Sequence, residues 1–125
     1  MQKVLVIGGL GFIGYHTVAA LRHCGYEPVI GSRSGKSDVN ADAPIIAIDL
    51  QTMSDEALKT VLSPFYAVIF AGGADDRTMP KEAAAPFFYK ENVVPCVRLA
   101  QAATELSMQK IIILGSYFTY FNRNS

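Results

Sequence analysis

Apolar runs alternate with amphipathic and polar stretches along this chain of 125 residues. Val4–Ile7 is short, unbroken and mostly β-branched, the pattern of a strand buried on both faces. Phe12–Cys24 reads as a helix. Gly14, Val18, Leu21 and Gly25 fall at helical spacing, and Gly25 is placed to end it. "PVIG" at 28–31 predicts a second strand, and the polar, Gly/Ser/Asp-rich stretch Ser32–Pro44 predicts a loop. "IIAI" at 45–48 predicts a third strand. Thr52 or Ser54 can cap the next helix, whose first turn carries Asp55 and Glu56, as the helix dipole favours. That helix runs to about Leu62, before Pro64. "AVIFA" at 67–71 is the fourth strand, and "GGADDRTMPKE" is a loop. A long helix is expected from Phe87 to Leu106, with Val93, Val97, Ala100 and Ala103 along one side. Pro95 inside it removes a hydrogen bond and predicts a kink or a late start. "KIIILG" at 110–115 is the fifth strand.

Strands that alternate with helices imply the α/β class: a Rossmann-like, doubly wound parallel sheet of about five strands with helices on both faces. Residues 1–125 form one domain in this reading, with no internal repeat, low-complexity segment or linker. The fifth strand is left as an edge of four apolar residues, an aggregation-prone surface. The expectation is a truncated sheet that covers this edge by self-association, as a homo-oligomer.

Charge narrows the partners. Lys plus Arg equals Asp plus Glu at 11 each, for a formal net charge of zero. That removes the electrostatic case for nonspecific binding to nucleic acid or an anionic membrane. No run is long enough to span a bilayer. Met1-Gln2-Lys3 leads straight into the first apolar run, without a signal-peptide pattern, so a reducing, cytoplasmic setting is the expectation. Cys24 and Cys96 lack metal-ligand spacing and read as buried small hydrophobes. No metal is expected.

The chemistry concentrates in "IGGLGFIG" at 7–14, where four glycines follow the first strand and open the first helix. Each glycine carries an ordering cost of roughly 0.5–1 kcal/mol relative to alanine inside regular structure. A strand, a glycine-rich turn and a helix together make a phosphate site: first-turn N–H groups and the helix dipole favour an anion, and glycine lets the backbone approach a pyrophosphate. Gly9, Gly11 and Gly14 match G-x-G-x-x-G, while Gly8, Gly11 and Gly14 match G-x-x-G-x-x-G. At the first strand–helix turn of a five-strand alternation this points to a dinucleotide, with Gly8, Gly9, Gly11, Phe12, Ile13 and Gly14 as candidate contacts. A P-loop is excluded, since no Gly-Lys-Ser/Thr follows.

The tip of the second strand reads the adenosine ribose, and an acidic residue there suits the free 2′-hydroxyl of NAD. This chain has Gly31-Ser32-Arg33-Ser34. A guanidinium holds a 2′-phosphate bidentately and a serine hydroxyl adds a donor. NADP is therefore the expected cofactor, with NAD possible, and Ser32 and Arg33 are the determinants.

Together these motifs resemble the short-chain dehydrogenase/reductase superfamily, and most of all its extended branch of NAD(P)-dependent epimerases, dehydratases and reductases. The resemblance runs through almost the whole chain. "GGLGFIG" is similar to the family's opening motif, "IDL" at 48–50 to its third-strand end, and "FAGGA" at 70–74 to its fourth-strand turn. "ENVVPCVRLAQAA" resembles the helix with an Asn-Val pair, here Asn92-Val93, although Pro95-Cys96 stands where the family usually has Gly-Thr. The resemblance implies that Asp49 and Leu50 flank the adenine, and that Ala71, Gly72, Gly73 and Asn92 lie along the cofactor. It also implies that Ser116, in "ILGSYFTYF", hydrogen-bonds the substrate's oxygen.

The family's Tyr-x-x-x-Lys would follow some 25 residues later, beyond Ser125. Tyr117 and Tyr120 are followed at the fourth position by Phe121 and Asn124, and an unassisted tyrosine has a pKa near 10, too high for a base at neutral pH. "YFTYF" therefore reads as aromatic packing. The implied function is the cofactor-binding part of an oxidoreductase, epimerase or dehydratase that moves hydride at a carbonyl or alcohol carbon. The alternatives are a non-catalytic NADP-binding regulator or redox sensor, and an inactive fragment. His16 and His23 read as surface or packing residues, and Asp75-Asp76-Arg77 as a solvated loop.

Overall fold

The computed structural model describes residues 2–8, 12–33, 35, 43–71 and 93–114. Five strands form one parallel sheet: β1 (Lys3–Ile7), β2 (Glu27–Ser32), β3 (Ile45–Ala47), β4 (Ala67–Phe70) and β5 (Lys110–Ile113), in the spatial order β3-β2-β1-β4-β5. Three helices connect them among the described residues: α1 (Phe12–His23), α2 (Asp55–Leu62) and α3 (Val94–Glu105).

Strand alternation sends successive side chains to opposite faces. On one face, Val6 and Ile30 pack with Val18 of α1. On the other, Leu5, Ile7, Val29, Val68 and Phe70 pack with Leu58 and Leu62 of α2 and with Leu99 and Ala102 of α3. The sheet is thus sandwiched, as the expected doubly wound α/β class requires. β1 lies at the centre, and Leu5 and Val6 are wholly buried. The apolar runs of β1 and β4 read as continuous because both their faces are covered.

Local signals place the helices. Ser54, not Thr52, caps α2: its backbone is extended and its hydroxyl accepts from Ala57 N–H at 3.1 Å. Asp55 and Glu56 occupy the first turn. Gly25 ends α1 at φ +88°, a left-handed conformation that glycine adopts without Cβ strain. Pro95 sits in the first turn of α3, where the missing N–H costs no helical bond. The expected beginning of that helix at 87–92 lies outside the described residues.

Three expectations need correction. β2 extends one residue beyond 28–31 at each end, whereas β3 stops at Ala47 and β4 at Phe70. The side of α3 that faces the core is Pro95, Leu99, Ala102 and Ala103, while Val93 and Val97 are exposed, the latter at 50%. Arg98, Gln101, Thr104 and Glu105 share one side of this helix, and the apolar stripe opposite them, centred on Leu99, is the one that meets α2 and the sheet. Cys24 is not buried. It follows the last residue of α1 in the turn through Gly25 and is exposed, and Cys96 is only half-buried. Burial pushes the Cys96 thiol pKa up, which favours its protonated form. On β5, Ile111, Ile112, Ile113 and Leu114 are each exposed by 37–43%.

Gly31 marks the tightest packing on the α2/α3 face. A Cβ there would lie 2.7 Å from Ile48 Cγ2, 3.3 Å from Ile7 Cγ1 and 3.4 Å from Leu5 Cδ1. Ile48 is buried, and its Cγ2 would have to shift within the core to admit the added carbon. Gly31→Ala is expected to destabilise the fold by about 1–3 kcal/mol, read by urea denaturation. Ser54→Ala should cost about 1 kcal/mol in the same assay, through the lost cap.

Candidate functional site

The strand order reverses its direction of growth at β1. From β1 the chain passes through α1 to β2 and then β3 on one side; after α2 it returns to β4, on the other side of β1, and continues to β5. Connections that leave β1 and β4 on opposite faces part at the carboxyl ends of those strands, and open α/β sheets bind ligands in that crevice.

Backbone bonds hold these ends in register. Ile7 is paired with Gly31 on one side and with Phe70 on the other. Just beyond the strands, Gly8 N–H donates to Gly31 O at 3.1 Å, Ala71 N–H to Ile7 O at 2.8 Å and Ile48 N–H to Ser32 O at 2.8 Å. Gly8, Ser32, Asp49 and Ala71 therefore line one edge of the sheet. Gly8 has φ +85°, the region where a side chain is strained. It turns the chain out of β1 toward the start of α1 at Phe12. The first turn of α1 carries no acidic residue, and its last turn carries Arg22 and His23. In α2, by contrast, the first turn supplies carboxylates of its own to the helix dipole. Gly14 is buried and Ile13 is 58% exposed.

At the tip of β2 the Ser32 hydroxyl accepts from Gly35 N–H at 3.0 Å. Gly35, at φ +70°, lies so close to β3 that a Cβ would approach Ala47 Cβ at 3.0 Å. The short turn is pinned on two sides. The Ser32 hydroxyl retains its own proton to donate, and Arg33 is exposed beside it.

Beyond β3, Asp49 organises a compact turn. Its Oδ1 accepts from Gln51 N–H at 3.0 Å, and its carbonyl accepts from Thr52 N–H at 3.3 Å and Met53 N–H at 3.0 Å. Leu50 is buried in the core. The Gln51 side-chain nitrogen is buried without a hydrogen-bond partner among the described residues.

One residue with a structural hold on this turn was not singled out by sequence reasoning. Arg98 of α3 donates through Nη1 to Leu50 O at 2.6 Å, and through Nη2 to Met53 O at 2.5 Å and Asp55 Oδ1 at 2.9 Å. Its side chain is only 17% exposed. The available signal was one cation interrupting the apolar run "VVPCVRLAQAA".

Of the expected site residues, Gly8, Ile13, Gly14, Ser32, Arg33, Asp49, Leu50 and Ala71 are described, as is the backbone of Phe12. Gly9, Gly11, Gly72, Gly73, Asn92 and Ser116 lie outside the described residues, as do Asp75, Asp76, Arg77, Tyr117 and Tyr120. His16 and His23 are exposed, and His16 meets Tyr15 edge-on with ring centroids 5.4 Å apart. Among the described residues no group of three His, Cys, Asp or Glu could hold a metal ion, and no helix is long and apolar enough to cross a membrane.

Known proteins share this arrangement. UDP-glucose 4-epimerase of Neisseria meningitidis serogroup C is 29% identical over 131 aligned positions, covering 96% of this chain and 38% of that protein. The crystal structure of UDP-glucose 4-epimerase from Brucella ovis in complex with NAD superimposes with a TM-score of 0.79 at 26% identity, covering 96% of this chain and 37% of that one. MoeE5 in complex with UDP-glucose and NAD gives a TM-score of 0.76 at 25% identity, over 94% of this chain and 38% of that one. The chain thus spans under two-fifths of the length of each of these proteins. The model of the NAD dependent epimerase/dehydratase family matches residues 4–123, so this chain belongs to that family.

Proposed function

We propose that this chain is the nucleotide-binding part of an enzyme that uses a nicotinamide dinucleotide to move hydride at an alcohol or carbonyl carbon of a nucleotide sugar. The observation that carries the reading is Gly8 at φ +85°, at the switch point of the sheet, beside a helix start free of carboxylates. A left-handed residue there turns the backbone toward the α1 N-terminus without a side chain in the crevice, as a diphosphate requires. The relatives support the chemical class: two are UDP-glucose 4-epimerases, and two of the matched structures hold NAD.

When bound, the nicotinamide ring supplies the hydride acceptor and donor. The residues of this chain bind and orient it. Gly8, Gly9, Gly11, Phe12, Ile13 and Gly14 take the diphosphate. Asp49 and Leu50 flank the adenine, next to the buried Gln51 nitrogen that has no protein partner among the described residues. Ala71, Gly72, Gly73 and Asn92 follow the cofactor toward its reactive end, and Ser116 hydrogen-bonds the substrate's oxygen.

For the cofactor, NADP is favoured over NAD. Among the described residues at the exit of β2 no carboxylate faces a free 2′-hydroxyl, whereas Ser32 and Arg33 offer a hydroxyl and a guanidinium to a 2′-phosphate. The Gly35 N–H bond holds the Ser32 hydroxyl oxygen at the tip of β2. Calorimetric titration is expected to show NADP binding at least about tenfold tighter than NAD, one charge-assisted contact being worth that much. Arg33→Ala should erase the difference by weakening NADP alone. Equal affinity of the unaltered chain for both would overturn the preference, and failure to bind either would overturn the function.

A further inference from the structure

We infer that Arg98 is a positioning residue for the adenine end of the site, setting base selectivity through the Asp49–Met53 turn it holds; the inference rests on the placement of adenine at Asp49 and Leu50 proposed above. The turn has few sheet-type restraints. β3 is an edge strand of three residues, and the chain beyond it keeps one sheet-type bond, from Ile48 N–H to Ser32 O. Within the turn, the backbone carbonyl and carboxylate of Asp49 take the amides of Gln51, Thr52 and Met53. The carbonyls of Leu50 and Met53 are met from outside, both by Arg98.

The geometry suits a guanidinium. Its planar fork reaches two carbonyls three residues apart and, with the same Nη2, the carboxylate of Asp55 in the first turn of α2. One group thereby fixes the turn relative to both α2 and α3. A lysine ammonium is a point donor on a flexible stem and cannot hold the same three acceptors in one plane. The Arg98 side chain is 17% exposed and its two carbonyl bonds are part-buried, while the Asp55 carboxylate it also meets is exposed to solvent.

The consequence concerns recognition. Adenine differs from hypoxanthine at one edge, where an exocyclic amine and a ring acceptor replace a carbonyl and a ring N–H. A turn that reads that edge through the Asp49 carboxylate and Leu50 backbone must hold both to within a fraction of an ångström. Arg98 touches neither the base nor the reacting atoms in this arrangement. It decides where the groups that do touch the base are held.

The test uses NADPH and its hypoxanthine analogue, titrated by nicotinamide fluorescence into the 125-residue chain, Arg98→Met and Arg98→Lys. The unaltered chain is expected to prefer the adenine form by about tenfold, the worth of a well-made hydrogen bond. Arg98→Met should bring that ratio to about one by weakening the adenine form, with the hypoxanthine form little changed. Arg98→Lys should restore part of it. Thermal melts without ligand show how much of either variant is folded, and the ratio is taken from the folded fraction. If both variants keep the native ratio, Arg98 is only a structural tie and the inference fails while the dinucleotide reading stands. If the unaltered chain binds the two forms equally, this turn does not read the adenine edge, and the inference falls with the adenine placement while the dinucleotide reading stands; if it binds neither form, that reading falls as well.

Discussion

Burying β1 on all sides constrains everything else in this molecule. Its backbone is bonded in parallel to β2 and β4, and its side chains meet helices on both faces. Parallel neighbours cannot be joined by a tight turn, so each junction needs a crossover long enough to pack back onto the sheet. α1 supplies the first and covers the Val6 face; α2 and α3 cover the Leu5 and Ile7 face. With the covers on opposite faces, the segments leaving β1 and β4 must diverge. The crevice follows from a buried central strand rather than from any residue selected to make it.

What lines the crevice then depends on small local devices. Gly8 turns in the left-handed region, Ser32 takes the amide of Gly35, and Asp49 takes the amide of Gln51. In the last two a side-chain acceptor closes a turn that the backbone alone would leave open. Each sits within two residues of its strand's end, so the sheet's register passes directly to the loops. Gly31 shows the opposite demand on the same surface. There the packing of Ile7 and Ile48 leaves no volume for a side chain, and glycine is present for space rather than for φ.

The difference between legible and hidden features follows the range of the interactions behind them. Strands such as Val4–Ile7 and Ala67–Phe70 are contiguous in sequence and buried on both faces, so their apolar runs announce them. The Ser54 cap, the Gly25 stop and the glycine-rich turn are signals spread over a few residues. They place α1 and α2 from the sequence alone. The face of α3 follows from its polar residues rather than from its valines: Arg98, Gln101, Thr104 and Glu105 share one side, and the apolar stripe opposite them centres on Leu99. Cys24 misled because apolar composition is no guide where the chain is leaving a helix.

Arg98 belongs to the hidden class for a stronger reason. Its acceptors lie 43 to 48 residues earlier, and two of them are backbone carbonyls, which every residue type possesses. No pattern of side chains encodes such a contact. The burial of its charge is intelligible from the acceptors' side. A turn between a three-residue edge strand and a helix has carbonyls with no ladder or helical partner, and leaving them dry and unpaired is costly. A neutral donor would satisfy one of them. A guanidinium satisfies two and also meets, at the surface, the carboxylate that stabilises the start of α2. The turn that gains this brace is the one whose own sheet contacts are weakest. Precision at the third strand's exit is therefore imported from a helix that joins the fold only after β4.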